Sequence, residues 1–339
     1  MPRLNVLITA ASRRVPLVQA FQRALRQPRL GGDVIVTDVN PLSPAVHIAD
    51  RAYRVPYAHE PDYLDVIREI CLAHDVGLVI PTIDDELPRF SEEAAAFAAI
   101  GARVAISPVD TTSACNDKLM TCERLRAAGV SAARTLLPHA VREDTSPLPL
   151  FIKPRGGRGG VNAFRASTWD EVRFFATYVP DAVVQQFLDG PEFTIDMLCD
   201  FDGRPLVIVP RERVVVRAGV IDRGRTVFRE DLIALALACA RVFRFVGAVN
   251  IQCRDHAGQP TVFEINPRFS GGIPLTIAAG ADVPALLIDL ALGRAVEPRI
   301  GAFTPNLWMT SYESSFFVTE ETCALDAPPA PVPARALAS

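Results

Sequence analysis

The chain has 339 residues, 49% hydrophobic and 22% charged, enough to bury a sizeable core in more than one folded unit. Its formal net charge is −4 and no long basic run occurs, so no nucleic-acid partner is expected. Seven cysteines without a C-x-x-C pair argue against a disulfide framework or a zinc knuckle and point to a reduced, cytoplasmic setting.

The N-terminus runs directly into an apolar segment with no cleavage-site pattern after it, so no leader is expected. Residues 4–9, 33–38, 77–82 and 103–107 are dense in Val, Ile and Leu and read as buried strands. Between them, 15–27 and 61–74 show helical spacing, with Tyr63, Val66, Ile67 and Ile70 along one face. Such alternation predicts a doubly wound parallel sheet over residues 1–112. Ligands collect beyond the carboxyl ends of such strands. Those ends carry Ser12, Arg13 and Arg14, then Asp38 and Asn40, then Asp84, Asp85 and Glu86. The first turn, Thr9-Ala10-Ala11-Ser12-Arg13-Arg14, lacks G-x-G-x-x-G, which argues against a nicotinamide cofactor.

From Asn116 the character changes. A helix over 118–128 precedes a polar, proline-bearing connection, and β-rich segments follow at 150–153, 161–165, 183–188, 192–199 and 205–216. A helix near 231–243 leads to a hairpin of 248–254 with 261–266, then a final helix over 273–292 and a returning strand within 307–317. The apolar stretches 232–242 and 273–292 are broken by charge, glycine or proline. They fall short of the roughly 20 clean residues of a membrane span, so no membrane partner is expected. The Ala- and Pro-rich end, within 321–339, reads as a disordered tail.

Two constellations carry chemistry. In the hairpin, Val249, Ile251 and Cys253 alternate with Asn250, Gln252 and Arg254, while Phe263 and Ile265 alternate with Glu264 and Asn266. Period-two alternation segregates the two sets to opposite faces. With a turn at residues 256–260, Gln252 falls opposite Glu264, with Asn266 on the same face. A carboxylate beside amide oxygens suits Mg²⁺, which takes few protein ligands and completes its octahedron with phosphates and water. A solvent-facing sheet would also alternate, yet it would not account for the continuation Pro267-Arg268-Phe269-Ser270-Gly271-Gly272. The second constellation is Phe151-Ile152-Lys153-Pro154-Arg155 running into Gly156, Gly157, Gly159 and Gly160, a strand opening into backbone N–H groups that can wrap phosphate. It is not a P-loop, because the G-K-[ST] ending is missing and β-structure follows.

Asn116-Asp117-Lys118, the Ile152-Lys153-Pro154 glycine loop, the run from Val184 to Glu192, and Glu264-Ile265-Asn266-Pro267-Arg268 occur in the order seen in ATP-grasp enzymes. Over roughly residues 4–318 the chain resembles single-unit relatives of the carbamoyl-phosphate synthase large chain. That resemblance implies an α/β plus α+β protein. A pre-ATP-grasp domain (1–112) would precede a small lobe with a glycine lid (113–190) and a large lobe with the metal hairpin (191–320).

It also implies ATP with Mg²⁺, or Mn²⁺ in its place, and an ADP-forming carboxylate–amine ligase acting on small molecules. Bicarbonate activation and an inactive ATP sensor are the alternatives. A homodimer is compatible with this reading. By resemblance Lys118 and Lys153 contact the phosphates, Gly156–Gly160 form the lid, and Gln186, Phe187 and Leu188 form the hinge beside adenine. Glu192 holds the ribose, Gln252, Glu264 and Asn266 bind the metal, and Arg268 joins Lys153 at the transferred phosphoryl. The hinge position of Gln186 is often Glu in relatives, and a Gln carbonyl can still accept from adenine. Arg211, Arg213, Arg217 and Arg223 lie between the ribose and metal motifs. Arg211 and Arg217, with Arg13, Asp84 and Asp85, are the expected substrate contacts. The histidines are expected to be structural or solvated.

Overall fold

The computed structural model describes residues 3–27, 30–157, 159–217, 219–319 and 328–329. The tail expected within 321–339 lies outside the described residues, apart from Pro328 and Pro329. The described residues form two compact units, one from Met1–Ile106, Asp282–Glu297 and Glu313–Ser339, the other from Ser107–Ala281 and Pro298–Tyr312.

In the first unit β1 (Asn5–Ile8), α1 (Val15–Leu25), β2 (Val34–Asp38), β3 (Arg51–Arg54), α2 (Tyr63–Ala73), β4 (Val76–Ile80), α3 (Leu87–Glu92), α4 (Ala94–Ala99) and β5 (Arg103–Val104) follow one another. The strands pair in the order β3-β2-β1-β4-β5, all parallel, with Val6 opposite both Val34 and Leu78. β1 and β2 are buried along their whole length, as strands covered on both faces must be. Helix α1 buries Leu17, Val18, Phe21, Ala24 and Leu25, a stripe of helical period. Strand β3 was not expected from the sequence. Its Arg-Ala-Tyr-Arg offers a single buried anchor, Tyr53, and it pairs only on its β2 side, at the sheet edge.

The second unit begins with α5 (Val109–Asn116) and α6 (Lys118–Ala127), then β6 (Thr135–Leu136), β7 (Leu150–Pro154), β8 (Phe164–Ala166), α7 (Trp169–Tyr178) and β9 (Ala182–Gln186). These four strands form an antiparallel sheet in the order β6-β9-β7-β8. Helix α7, also unforeseen, opens with a capping box in which Thr168 accepts from the Glu171 N–H and Glu171 reaches back to the Thr168 N–H. The larger sheet is built from β10 (Glu192–Cys199), β11 (Pro205–Arg217), β12 (Val220–Thr226), β13 (Gly247–His256), β14 (Gln259–Asn266) and β15 (Trp308–Thr310), ordered β14-β13-β10-β11-β12-β15. Helix α8 (Glu230–Val242) lays Leu232, Leu235, Ala236 and Cys239 on one face of it, against Ile195, Met197, Val249, Ile251 and Ile265. The opposite face is left for polar residues.

The helix expected over 273–292 is two helices, α9 (Ile273–Ala278) and α10 (Val283–Ala291), and α10 packs with the first unit. Between them Gly280 takes φ +102°, a conformation open to glycine. Asp282 then caps α10 by accepting from the Ala285 N–H at 3.2 Å. The six described cysteines are free and buried, and burial pushes the Cys239 thiol up to about 12, so it is inert at neutral pH. Among the described residues no helix is long and apolar enough to cross a membrane.

Candidate active site

The polar face of the large sheet is ordered in rows. Glu264 on β14 lies opposite Gln252 on β13, which lies opposite Thr194 on β10, which lies opposite Arg211 on β11. Directly opposed residues point to the same side of a sheet, so the four share one face. The row on one side of it runs Asn266, Asn250, Asp196, and the row on the other side contains Arg254 and Glu192. Gln252 does face Glu264, although not through the five-residue turn expected. The turn is Ala257-Gly258, with φ +49° and +80°, the left-handed pair of a tight hairpin, and His256 pairs with Gln259. A bulge between the pairs Cys253–Val262 and Gln252–Glu264 absorbs the difference, and Phe263 is the extra residue. Phe263, expected on the apolar face, therefore lines the polar cavity.

The small sheet supplies the other wall. Asp117 accepts from the Met120 N–H at 3.0 Å and caps α6, placing Lys118 as its first residue. Arg155 grips the same carboxylate at 2.6 and 2.9 Å. Burial alone would raise the Asp117 carboxyl, but Arg155 and the helix N–H groups outweigh it and hold it below its ordinary range. The Lys118 ammonium donates to the carbonyls of Gly156 and Gly157 at 3.1 and 2.8 Å, so it holds the root of the glycine loop. Lys153 is 5% exposed, with its ammonium 5.3 Å from the Phe263 ring centre and 6.0 Å from that of Phe151. Burial pushes its pKa down, against the pull of Glu264.

The hinge is tied more tightly than its sequence suggests. The Gln186 side-chain oxygen accepts from the Arg134 N–H at 3.3 Å, and its amide nitrogen lies 3.0 Å from His256 Nε2. His256 Nδ1 stands 3.1 Å from Asp189. With Gln186 donating, His256 accepts at Nε2 and donates from Nδ1. This histidine thus pins the hinge to the hairpin tip, and one lone pair of the Gln186 oxygen is already in use.

One cavity of about 690 Å³ is lined by Lys118, Lys153, the four loop glycines, Gln186, Phe187, Leu188, Glu192, Gln252 and Glu264. Asn266 is buried beside it and donates to Glu264 at 3.2 Å, while its own oxygen accepts from Arg268 at 3.2 Å. Arg211 is no open substrate contact. It is 1% exposed and bonded to Asp196 at 2.8 and 3.1 Å and to Ser270 at 3.0 Å. Asp196 also accepts from Thr276. Arg217 is exposed near the tip of the β11–β12 hairpin, 3.7 Å from Asp222. In the first unit Arg13 and Asp85 are exposed and Asp84 is buried. Several neighbouring polar residues there serve the fold. Asp38 accepts from the Ser12 N–H at 2.7 Å, Arg14 donates to the Thr82 carbonyl at 2.7 Å, and Glu86 accepts from the Tyr63 hydroxyl at 2.6 Å.

Sequence reasoning passed over Arg213, Arg254, Phe151 and Phe263 as cavity residues. The signal for Arg213 was present, since it sits two residues from Arg211 on one strand and so faces the same way.

The donor set fits a magnesium–nucleotide complex. Glu264, Gln252 and Asn266 offer hard oxygens, and among the described residues no group of three His, Cys, Asp or Glu could hold an ion unaided. A metal here would need phosphate oxygens to fill its shell, as Mg²⁺ does in nucleotide sites.

A cavity between two antiparallel sheets, with lysines and a glycine loop on one wall and this polar hairpin on the other, in a chain that also carries a parallel-sheet unit, is the arrangement of the ATP-grasp class of folds. Within that class, residues 178–313 match the family described as ATP-grasp in the biosynthetic pathway with Ter operon, and residues 6–105 match the PylC-like N-terminal domain. The carbamoyl phosphate synthase large chain of Thermomicrobium roseum is 24% identical over 324 residues, covering 87% of this chain and 28% of that relative. The chain therefore spans little more than a quarter of that relative's length. An L-amino acid ligase from Bacillus licheniformis shares the fold with TM-score 0.70 at 19% identity, covering 89% of this chain and 77% of that one. So does the biotin carboxylase domain of the Hydrogenobacter thermophilus 2-oxoglutarate carboxylase, solved with MgADP, ADP and bicarbonate. Its TM-score is 0.69 at 16% identity, over 89% of this chain and 73% of that one.

Proposed function

We propose that the chain is an ADP-forming ligase that spends ATP to activate the carboxylate of a small organic acid as its acyl phosphate and passes the acyl group to an amine. The observation that carries this reading is the cavity in which Lys118, Lys153 and the glycine loop face the Glu264–Gln252 pair. Joining two anions needs alignment and neutralised charge more than a nucleophile or a general base. Mg²⁺, held by Glu264, Gln252 and Asn266, would supply part of that charge. Lys153 and Arg268 are the proposed protein cations at the transferred phosphoryl. Glu192 takes the ribose, and Phe187 and Leu188 flank the base. The loop at Gly156–Gly160 closes the cavity against water, which protects an activated acid from hydrolysis. Arg13, Asp84 and Asp85 are the proposed substrate contacts on the first unit, one cation for an acid and two anions for an ammonium.

Bicarbonate as the acid is the second reading, favoured by the likeness to a carboxylase domain solved with that anion. The test is ADP release across a panel of carboxylic acids, with and without amines, with bicarbonate as a separate arm. Release that requires one organic acid and one amine supports the ligase. Release driven by bicarbonate and indifferent to organic acids overturns it in favour of the second reading.

A further inference from the structure

Among the described residues facing the cavity, four cations, Lys118, Lys153, Arg213 and Arg254, stand against two carboxylates, Glu192 and Glu264. Glu192 is shared. One oxygen is 2.7 Å from Arg213 Nη1, and the other is held by Arg254. Lys118 is occupied with loop carbonyls and Lys153 is desolvated over two rings, so the cavity carries more positive charge than its own carboxylates balance.

Arg213 differs from the residues that follow it. Val214, Val215, Val216 and Arg217 are exposed, whereas the Arg213 side chain is 7% exposed. Its Nη2 donates to the Gly219 carbonyl at 2.8 Å, which anchors the tip of the β11–β12 hairpin. A Cβ on Gly219 would stand 3.1 Å from the Gly159 Cα, so that tip rests directly on the glycine loop. Arg213 therefore joins the ribose-side carboxylate to the loop that covers the phosphates. Burial holds its guanidinium below its ordinary pKa, and Glu264 is close enough to pull the other way. Glu192 is thus one carboxylate shared by two guanidiniums, Arg213 and Arg254, which leaves a net positive charge on this side of the cavity for an entering anion.

We infer that Arg213 is a further nucleotide-binding residue, whose guanidinium contacts the phosphate chain beyond the ribose and couples that contact to the glycine loop through Gly219. The inference rests on the cavity being a nucleotide site. Glu192 keeps Arg213 poised, since a carboxylate has lone pairs enough to accept from ribose hydroxyls while still holding a guanidinium. Arg213 can then direct its remaining N–H groups at phosphate oxygens, a geometry a single ammonium does not reproduce.

The experiment compares adenosine, AMP, ADP and ATP by calorimetry on the full chain for wild type, Arg213→Gln and Arg213→Lys, with Mg²⁺ present. A phosphate contact predicts adenosine and AMP affinities within about threefold of wild type, and ADP and ATP weakened about tenfold or more in Arg213→Gln. Arg213→Lys should fall between, and because each variant is compared with itself across the four ligands, partial destabilisation does not mimic the pattern. An equal loss for all four ligands would mean that Arg213 acts only through Glu192 or the fold, and overturns the inference. No loss for any of them overturns it as well. Wild type that binds none of the four would remove the nucleotide reading itself, and this inference with it.

Discussion

Replacing Lys153 with methionine separates a functional lysine from a structural one. In the folded chain the ammonium lies over the rings of Phe151 and Phe263, and its donor contact, to the Phe263 carbonyl, is long at 3.4 Å. Two cation–π contacts at a desolvated ammonium contribute up to about 2 kcal/mol each. Against that, taking an ammonium out of water costs several kcal/mol even after relaxation, roughly enough to cancel both contacts. Methionine keeps the length and the apolar packing and removes the desolvated charge. Lys153→Met should therefore leave the nucleotide-free protein as stable as wild type, or up to about 2 kcal/mol more stable. On the proposed function the same change also deletes a charged donor to phosphate, about 1.5–3 kcal/mol, or roughly 10–150-fold in affinity for ATP. The pH dependence has a definite sign. Burial depresses the Lys153 pKa below 10.5, so between the two values the unfolded chain holds more protons and wild-type stability rises with pH. In Lys153→Met that rise should flatten. Urea unfolding across alkaline pH and calorimetry with ATP read both quantities. A variant destabilised by more than about 2 kcal/mol that still binds ATP within threefold of wild type would refute the reasoning.

Glu264→Ala removes the carboxylate of the proposed metal set, Gln252, Glu264 and Asn266, and should lower turnover roughly 10²–10³-fold in a folded enzyme, measured by steady-state ADP release once the substrates are known. Arg211→Ala leaves Asp196 buried without its guanidinium and should cost about 3–5 kcal/mol in urea unfolding, where a loss under 1 kcal/mol would remove its anchoring role. Glu86 is fully buried, and burial raises its pKa above 4.5 despite the bonds from Tyr63, Ile83 and Thr82. The folded state then keeps a proton that the unfolded chain has lost, so this group's contribution to stability falls as pH rises from 4.5 through the folded pKa. Glu86→Gln should show a flatter stability profile than wild type over that window.

The elements carrying a strong period were legible. The apolar strands of the first unit and the alternating hairpin of β13 and β14 stand out because burial on two faces, or on one, writes itself into residue order. Strand β3 and helix α7 did not, because Arg51-Ala-Tyr-Arg has one buried anchor and α7 buries Val172 alone among its residues. The glycine and E-x-N-P-R motifs located the cavity, yet motif order says nothing of which neighbours intrude. Phe263 enters through a bulge set by the turn, and Arg213 through a strand two removed from the hairpin. Arg211 was misjudged for a related reason. Its partners Asp196 and Ser270 are 15 and 59 positions away, and Thr276, which donates to the same Asp196, is 80 positions from that carboxylate.

The bulge at Phe263 makes the β13–β14 hairpin a reading frame. Its tip, through His256, is fixed to the hinge, and its far end carries Glu264 and Asn266. Side chains alternate with a period of two, so one residue gained or lost between those ends would turn Glu264 toward helix α8 and the apolar face. Paired insertions would keep the facing and lengthen the span by about 7 Å. Length variation in this hairpin is thus quantised. The distance from the Gln186 side to the Glu264 side of the cavity can change only in steps of two residues, unless the bulge is lost along with the odd one.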